Sequence, residues 1–521
     1  MKKIIILALF TCIFGYSQEF YVKPYLQDAT PNSIKIMWET NFGEESFVEW
    51  GVTKKLGKKV SGKAFDINFT EARVHEVLIE GLQKFTTYYY RVKTGTLVSD
   101  IYTFKTPPFA SDDKAFNIVA MSDMQIDRRN PNKFTEIIQD GVLSYLSDEF
   151  EGGVPDNLAL VMIPGDLVSS GSEYDQWQHD FFRPIQPLGS QVPVYPVLGN
   201  HERNSVFYFK YFSLPENGTP AFAEHWYYKD YGNTRIIGLN SNEGYRIKDQ
   251  LRWLDSLLVR TAENDDIDFV FAQLHHPHKS ELWLRGEEDY TGEVVKRLEN
   301  FTNKTGKPSI HFFGHTHGYS RGQSQNHKHL WINVATAGGR IDEWGAYAQK
   351  NYDEFTVTQA KYGFVMVAVD PNDGNPKFTV KRVSRGNELN PENNVITDSI
   401  TIYKNAINPE KPMAVSPKGK VDTLKPLLTA SVFKSDNDQA FHAASQWQVS
   451  ESDDFEKTIF NSWKQFEDWY YDQNLQKGDD LKDEIALNLK PGKTYYWRVR
   501  YRDQFLQWSE WSEVIKISTE K

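Results

Sequence analysis

The segment Leu158-Ala-Leu-Val-Met-Ile-Pro-Gly-Asp166 is an apolar run that ends in a turn and a carboxylate. Four other segments have the same form, an apolar run of strand length followed by a side chain that can bind a metal: residues 116–123, 194–201, 269–275 and 310–317. In open α/β sheets, ligands bind beyond the carboxyl ends of the strands. The five segments therefore predict strand ends that bring Asp, Asn and His side chains together.

Helical stretches alternate with these runs. In residues 250–258, Leu251, Leu254, Leu257 and Leu258 fall on one face of a helix. Regular alternation of strands and helices indicates an α/β layer structure, which we expect to extend over roughly residues 110–404.

Histidine is concentrated in the same region. Eleven of the 13 histidines lie between His179 and His329, where even spreading would place about four. Each segment alone is a weak signal, because Gly165-Asp166 suits an ordinary turn and an isolated histidine in an apolar run is usually a core residue. A hydrophobic core, however, gives no reason to place Asp, Asn and His at matching strand ends. The combined pattern favours a metal site.

Strand-like sequence flanks the α/β region on both sides. Short alternating runs separated by Gly, Asn and Asp occupy residues 20–106 and predict a β-sandwich. Residues 82–92 match residues 489–499 at a constant offset of 407, with Leu, Thr, two Tyr, Arg and Val identical. The match predicts a second copy of the same sandwich near the C-terminus.

Both copies resemble the fibronectin type III module, and Trp508-Ser-Glu-Trp-Ser512 resembles the Trp-Ser-x-Trp-Ser box of some of its relatives. Six of the 14 tryptophans lie between Trp447 and Trp511. They form either a sugar-stacking surface or a core with Arg498 and Arg500 stacked on the rings, and strand alternation favours the core.

Composition and charge exclude several classes of protein. With 40% hydrophobic and 14% aromatic residues, the 521-residue chain is long and apolar enough for several folded domains. The net charge of −11 argues against nucleic acid as the main partner, since affinity for nucleic acid rests on Lys and Arg.

The first residues have the pattern of a leader. Lys2 and Lys3 precede the apolar run of residues 4–14, which is too short to span a bilayer and ends near the small residues Gly15 and Ser17. We therefore predict a signal peptide at residues 1–17 and a secreted or periplasmic protein without a transmembrane segment. The only cysteine, Cys12, lies in this leader, so the mature chain would have neither disulfides nor thiolate ligands.

The five strand-end segments together resemble the ordered signature of the calcineurin-like metallophosphoesterases. The motifs that carry the resemblance are Asp123-x-Gln125, Gly165-Asp166, Gly199-Asn200-His201-Glu202, His275-His276-Pro277 and Gly314-His315-Thr316-His317. With the preceding sandwich, residues 20–404 are most similar to a member of the purple acid phosphatase type. The resemblance implies a four-layer α/β catalytic domain and a metal-dependent phosphoric ester hydrolase.

The resemblance also implies a dinuclear metal centre. Its ligands would be Asp123 and His317 on the first metal, Asn200, His275 and His315 on the second, and Asp166 bridging the two. His201 corresponds to the family's non-ligand histidine, which stabilises phosphoryl charge or protonates the leaving group; the implied catalytic residues are His201, Asp166 and Asn200. Two cations activate a water and stabilise the entering and leaving oxygens. Oxygen and nitrogen donors admit iron, manganese or zinc.

Two positions depart from the family pattern. Gln125 stands where most of these enzymes have a histidine ligand; its neutral amide oxygen is a weaker donor than imidazole, so the first metal site is expected to be weaker or more selective. Ser169 stands where purple acid phosphatases have the tyrosine that colours them, so the protein should not be purple.

For several other residues near the motifs, two interpretations remain open. His276 and His278 are outer-shell or substrate-pocket residues without a matching family role. Arg340, with the aromatic stretch 344–355, forms either a substrate-side loop or a surface turn, and residues 127–129 pose the same choice.

The sequence thus predicts a multidomain α/β plus all-β protein. Its parts are the signal peptide (1–17), an N-terminal fibronectin-like β-sandwich (18–108), the catalytic domain (109–405), a linker (406–424) with Pro409, Pro412 and Pro417, and a C-terminal fibronectin type III-like domain (425–521). The leading function is a phosphomonoesterase acting on a small phosphate ester. The alternatives are a phosphodiesterase, including one for cyclic nucleotides, and a non-catalytic binding protein on a phosphatase scaffold. The C-terminal domain is expected to pack on the catalytic domain, to space it from a surface, or to bind a glycan or protein partner.

Overall fold

The computed structural model describes residues 17–67, 70–371, 374–470 and 472–521. The predicted signal peptide lies outside these ranges except for Ser17. No helix in the described part of the chain is both long and apolar enough to cross a membrane.

Two antiparallel sheets form the N-terminal sandwich. The four-stranded sheet contains, in spatial order, Phe20–Gln27, Ser33–Thr40, Arg73–Glu80 and Lys63–Asp66. The other sheet contains Lys58–Ser61, Phe47–Gly51, Thr87–Thr94 and Leu97–Val98, with Tyr102–Lys105 also paired to Thr87–Thr94. Inward-facing side chains of both sheets, among them Trp38, Trp50 and Tyr90, fill the space between them.

Buried polar contacts attach the sandwich to the α/β region. The fully buried Glu39 carboxylate accepts hydrogen bonds from the Tyr174 and Tyr211 hydroxyls and from the Gln178 amide. Burial raises the pKa of Glu39 to about 7 despite these donors. Because a buried carboxylate needs such partners, this face of the sandwich is an interface.

Two mixed sheets packed face to face form the centre of the molecule. The six-stranded sheet has the order Val194–Pro196, Leu160–Ile163, Phe116–Ala120, Tyr362–Asp370, Lys377–Gly386 and Pro391–Tyr403. The nine-stranded sheet has the order Tyr227–Tyr231, Thr234–Gly238, Phe269–Gln273, Ser309–Phe313, His329–Val334, Tyr319–Gln323, Phe355–Gln359, Trp469–Tyr470 and Gln473–Asn474.

The apolar runs are buried on both faces because each sheet packs against a sheet and against helices. In Phe269–Gln273, the Phe271 ring lies 5.1 Å from Phe378 of the opposite sheet. Its neighbour Val270 faces the other way and joins a cluster with Leu254 of a covering helix. This two-sided burial explains why the strands are continuously apolar rather than alternating.

Helices cover the outer faces of the two sheets. On the six-stranded sheet they are Lys133–Glu136, Ile137–Leu143, Ser144–Glu149, Tyr174–Gln176, Trp177–Phe182 and Arg183–Gly189; on the nine-stranded sheet they are Lys248–Ala262 and Asp289–Thr305. Shorter helical segments are Ala110–Asp112, Val154–Asn157, Val206–Tyr211, Pro220–Phe222 and Leu284–Gly286. Within Lys248–Ala262, Leu254, Leu257 and Leu258 are buried, as the periodicity predicted. The predicted four-layer class is confirmed.

Two further sheets form the C-terminal β-rich region. One contains Ala414–Ser416, Leu427–Ala430 and Asp483–Ile485; the other contains Gly419–Val421, Ile515–Thr519, Thr494–Asp503, His442–Ser450 and Thr458–Gln465. Ala414–Ser416 and Gly419–Val421 fall within residues 406–424, the predicted linker, so the strands of the C-terminal region begin before residue 425. Pro409, Pro412 and Pro417 all lie outside these two strands, so the prolines that suggested a linker do not interrupt them.

The internal repeat recurs in three dimensions. Tyr88 and Tyr495 occupy the matched position, and the hydroxyl of each accepts a hydrogen bond at 2.8 Å from the backbone N–H five residues earlier, Gln83 and Lys490. The same side chain thus fixes the same turn before the same strand in both copies.

The tryptophans of the C-terminal region are used internally. Trp447 and Trp497 are fully buried, and Arg498 lies 4.2 Å from the centroid of Trp511. Arg500 lies 4.2 Å from Trp508. The arginines therefore occupy ring faces on which a sugar would stack, although Trp469 remains 40% exposed.

Candidate metal centre

The predicted ligands lie just beyond the carboxyl ends of neighbouring strands. Asp123 follows Phe116–Ala120, Asp166 follows Leu160–Ile163, His275 follows Phe269–Gln273 and His315 follows Ser309–Phe313. Asp123, Asp166 and His315 have left-handed backbones with φ of 59°, 57° and 68°. This conformation costs about 1–2 kcal/mol for a non-glycine residue. The sharp turns bring side chains from both sheets into one cluster.

The two aspartates are buried and paired with histidines. Asp123 Oδ1 lies 3.2 Å from His317 Nε2, and Asp166 Oδ2 lies 3.2 Å from His275 Nε2. Asn200 Oδ1 lies 2.9 Å from the same His275 nitrogen. Ligand atoms of Asp123, Asp166 and His275 all lie within 4.8 Å of one another. This cluster of oxygen and nitrogen donors could hold a cation.

A backbone carbonyl orients each of three imidazole rings. In each ring Nδ1–H donates to a carbonyl oxygen: His275 to Pro164 at 2.9 Å, His317 to Arg340 at 2.6 Å and His201 to Ser169 at 2.7 Å. Such a bond leaves Nε2 with its lone pair free in the neutral ring, which is the usual arrangement around a metal-binding histidine. The rings of His275 and His317 therefore fit a metal.

The buried carboxylates attract positive charge. Burial lowers the pKa of His275, but the Asp166 carboxylate raises it to about 9, and Asp123 raises the pKa of His317 to about 9 in the same way. Against the effect of burial, these histidines hold the pKa of both aspartates below the usual range. A bound cation would supply this positive charge in place of protons.

Gln125 lies in the cluster with one atom unpaired. Its Nε2 donates to Asp166 Oδ2 at 2.6 Å, whereas its Oε1 is buried without a hydrogen-bond partner. A buried acceptor left in this state costs roughly 1–3 kcal/mol. A hard cation beside Asp166 would satisfy it, so the donor set including Gln125 fits a metal.

His315 and His276 extend the cluster on its other side. Ligand atoms of His275, His276 and His315 lie within 4.8 Å of one another. Nδ1 of His276 lies 2.9 Å from Ser241 Oγ, and burial lowers its pKa, so the ring is neutral. The doubled histidine was the sequence signal for this position. His278 packs instead against Trp331, at 5.6 Å between ring centroids.

Glu202 is a site residue whose role the sequence did not reveal. Its buried carboxylate accepts the backbone N–H groups of Gly199, Asp166 and Leu167 at 2.7, 2.9 and 2.8 Å, and more weakly that of Val168 at 3.4 Å. Burial and the neighbouring Asp166 raise its pKa to about 8. Glu202 thereby ties the Asp166 turn to the Asn200 turn.

Two glycines allow the ligand turns to touch. A Cβ at Gly199 would lie 2.1 Å from Asp166 Oδ1, and a Cβ at Gly314 would lie 2.3 Å from Asp123 Oδ2. Such distances are well inside van der Waals contact, so a larger residue would displace the carboxylates.

An open cavity of about 380 Å³ adjoins the cluster on the His201 side. The His201 side chain is 38% exposed, and its Nε2 lies 3.8 Å from Asp166 Oδ2. The cavity is lined by Gln125, Ile126, Asp127, Arg128, Arg129, His201, His317, Gly339 and Arg340. Arg340 and residues 127–129 therefore border the cluster instead of lying on a remote turn. A second cavity of about 400 Å³ lies on the Asn200 side and includes Arg203 and Arg246.

Two family models match the chain. Residues 116–319 match the calcineurin-like phosphoesterase model, and residues 21–106 match the model of the purple acid phosphatase N-terminal domain.

Similar curated proteins are purple acid phosphatases of plants. Probable inactive purple acid phosphatase 24 of Arabidopsis thaliana is 27% identical over 47% of this chain and 43% of its own length. Purple acid phosphatase 22 of the same plant is 25% identical over 53% and 61%, and purple acid phosphatase 1 of Ipomoea batatas is 22% identical over 62% and 68%. The chain spans about half the length of three curated relatives that it matches, the probable inactive purple acid phosphatases 24, 27 and 1 of Arabidopsis thaliana.

Solved structures share the fold. A purple acid phosphatase from yellow lupin (Lupinus luteus) seeds superposes with a TM-score of 0.56 at 19% identity, covering 74% of each chain. PhoD superposes with a TM-score of 0.55 at 12% identity, covering 74% of this chain and 90% of that one.

Proposed function

We propose that this chain, which contains a calcineurin-like phosphoesterase domain preceded by a purple acid phosphatase N-terminal domain, is a metal-dependent phosphoesterase acting on small phosphate monoesters. The observation that carries the proposal is the convergence of Asp123, Asp166 and His275 within 4.8 Å. The orphaned Gln125 oxygen and the carbonyl-bound histidines support it, because both features are satisfied by a cation.

The chain's own residues would hold two metal ions, of iron, manganese or zinc. We assign Asp123, His317 and Gln125 to one ion, Asn200, His275 and His315 to the other, and Asp166 to both. When bound, such ions supply Lewis acidity and a water of lowered pKa. Glu202 fixes the backbone of the Asp166 and Asn200 turns. This holds the metal-binding atoms of Asp166 and Asn200 in fixed positions relative to each other.

His201 would handle the proton of the leaving group. Its Nδ1–H is held by the Ser169 carbonyl at 2.7 Å, so Nε2 is the atom available to carry and donate a proton toward the cavity. Arg128, Arg129 and Arg340 border the same cavity and would attract the phosphoryl oxygens. Asp127 is the acidic residue of the lining and Glu343 pairs with Arg340, so Arg128 and Arg129 are the charges that suit an anionic ester.

The test is hydrolysis of a chromogenic phosphomonoester and of its diester analogue by metal-stripped protein reloaded with iron, manganese or zinc. We expect turnover of the monoester with at least one metal. Asp166→Asn and Asn200→Ala should each lower kcat at least about 100-fold, since each removes a donor from the reacting centre. The exposed Asp453, changed to Asn, is the matched control and should retain wild-type kcat.

Preferential turnover of the diester would reassign the protein as a phosphodiesterase, including one for cyclic nucleotides. Absence of turnover with all three metals in folded protein would contradict the enzyme proposal. It would favour a binding protein on this scaffold, the second candidate, which the names of several relatives as probably inactive suggest. Calorimetric titration with inorganic phosphate distinguishes the two remaining cases: a binding protein would bind phosphate, and a site without function would not.

We further propose that the protein acts outside the cytoplasm after removal of residues 1–17. The support is the basic, apolar and small-residue pattern of that segment. N-terminal sequencing of the protein recovered from the expressing cells should begin near Gln18. A mature chain that still begins at Met1 in the cytoplasm would contradict this.

A further inference from the structure

A row of aromatic rings leads outward from the metal centre. The Trp283 ring lies 5.2 Å from that of His315, and the Tyr347 ring lies 5.2 Å from that of Trp283. The planes are tilted by 33° and 37°, closer to stacked than to edge-on. Tyr347, at the outer end, keeps 46% of its surface exposed. It is a large ring open to solvent next to a candidate catalytic cluster.

The loop that carries Tyr347 also borders the cavity that contains His201, because Arg340 of the same loop lines that cavity. Arg340 and Tyr347 lie seven residues apart in the loop between the strands His329–Val334 and Phe355–Gln359. An ester bound at the metal centre would therefore meet this loop at Arg340, and the row of rings from His315 leads to Tyr347 on the same loop.

Hydrogen bonds fix the loop of Tyr347 to the segment that carries Trp283. The Leu284 N–H donates to the Ala348 carbonyl at 3.1 Å. The buried Glu281 carboxylate accepts the Tyr352 N–H at 2.8 Å. Because these bonds join the two segments on either side of the ring pair, the rings keep their relative position.

The C-terminal region supports the same loop from outside. Gln465 Nε2 donates to the carbonyls of Asp353 at 2.9 Å and Phe355 at 3.2 Å. Asp468 accepts a hydrogen bond from Asn351 Nδ2 at 2.9 Å. We call residues 465–470 the supporting segment, since its side chains bind the loop directly after Tyr347.

We infer that Tyr347 forms a binding subsite for a planar aromatic group on the phosphate ester, and that the supporting segment holds this subsite in place. The inference rests on the proposed function, because it concerns the group esterified to the phosphate. A tyrosine ring has only two side-chain torsions, so it offers contact area at small entropic cost. Stacking on such a ring strengthens binding by roughly 5- to 10-fold.

The test measures binding of two non-hydrolysable probes, phenylphosphonate and methylphosphonate, to the full-length metal-loaded protein by calorimetry. The ratio of their dissociation constants isolates the ring contribution, since both carry the same phosphonate. Tyr347→Ala should reduce the preference for the phenyl probe by about 5-fold or more, and Tyr347→Phe should restore it. Tyr21→Ala, at an exposed tyrosine of the N-terminal sandwich, is the matched control.

The supporting segment is tested by Asp468→Ala, which removes the bond to Asn351 but leaves Tyr347 intact. It should reduce the phenyl preference in the same direction as Tyr347→Ala. Asp480→Ala removes an exposed carboxylate from the same region and should not.

Each outcome bears on a different statement. An equal phenyl preference in wild type and Tyr347→Ala would overturn the subsite. A loss in Tyr347→Ala but not in Asp468→Ala would overturn the role of the supporting segment. Phosphonate binding without turnover of any ester would overturn the proposed enzyme activity and leave the subsite standing. Absence of both binding and turnover would overturn the two together.

Discussion

Replacing Glu202 by Gln tests whether this carboxylate holds the ligand turns. One of its oxygens accepts N–H groups at 2.7 and 2.9 Å, and the other accepts at 2.8 and 3.4 Å. A glutamine amide can replace only one of these oxygens, so its NH₂ must face the second pair of donors. The less damaging orientation faces Leu167 and Val168, where one bond is already long. It leaves the Leu167 N–H and one amide hydrogen without acceptors.

Each unsatisfied buried donor costs roughly 1–3 kcal/mol, so with two such donors we expect Glu202→Gln to lose about 2–6 kcal/mol of unfolding free energy. For a domain of about 300 residues that corresponds to a decrease in Tm of at least about 3 °C. Thermal unfolding should be followed at pH 9, above the pKa of about 8 of Glu202, so that the wild type carries the carboxylate. A chelator should be present to exclude effects of bound metal.

The matched control is Glu456→Gln, the same substitution at an exposed position. It should change the unfolding free energy by less than about 0.5 kcal/mol. A Glu202→Gln protein that unfolds within this range of the wild type would refute the reasoning, because the N–H groups of Leu167 and Val168 would then have found other partners at no cost.

Three further predictions concern the metal ligands, the close contact of their turns and the sandwich interface. Gln125→Ala should weaken metal binding at least about 10-fold in a chelator competition assay, since it removes the orphaned Oε1; unchanged affinity would show that this amide is not a ligand. Gly199→Ala should abolish hydrolysis in a protein with a native circular dichroism spectrum, because its Cβ would lie 2.1 Å from Asp166 Oδ1; retained activity would show that the turns can separate. The pKa of Glu39 is about 7 in the folded state and about 4.5 in the unfolded state. Between these two pH values only the folded state keeps the Glu39 carboxyl protonated. The stability from Glu39 is therefore complete below pH 4.5 and decreases by roughly 1–3 kcal/mol as the pH rises to 7.5; Glu39→Gln, compared over this range by urea unfolding, should lack this decrease.

The sequence was sufficient for the fold class and for the strand-end residues, because both follow from local patterns. A run buried on both faces is apolar throughout, and parallel strands end at one edge, so Asp123, Asp166 and His275 could be expected together before their distances were known. The repeat was equally readable, since Tyr88 and Tyr495 perform the same local task.

What the sequence could not show depends on contacts between distant segments. Glu202 accepts N–H groups from residues 34–36 positions earlier, and no spacing rule marks a glutamate for that purpose. Tyr347 and Trp283 become neighbours only when two loops pack. The strand Ala414–Ser416 within the predicted linker was unreadable for a related reason: Pro417 follows it directly, and the strand is completed by pairing with Leu427–Ala430.

The two copies of the repeat also show why the C-terminal one is bound to the α/β region. In the N-terminal copy, Lys93, the counterpart of Arg500, lies 3.6 Å from the Glu49 carboxylate, so its charge is neutralised within the module. In the C-terminal copy, Arg500 lies on the faces of Trp508 and Trp511 and also donates to Asn326 of the α/β region.

A ring face stabilises a guanidinium without occupying its N–H groups, so the stacked arginines can still donate across an interface. The fully buried Arg502 does so: it donates to the carbonyls of Ser324 and His327, both at 2.8 Å. Trp508 itself donates to the Gln325 carbonyl at 2.7 Å. The Trp-Ser-Glu-Trp-Ser box therefore acts in this chain as a docking element, and the docked module in turn carries the segment that supports the loop of Tyr347.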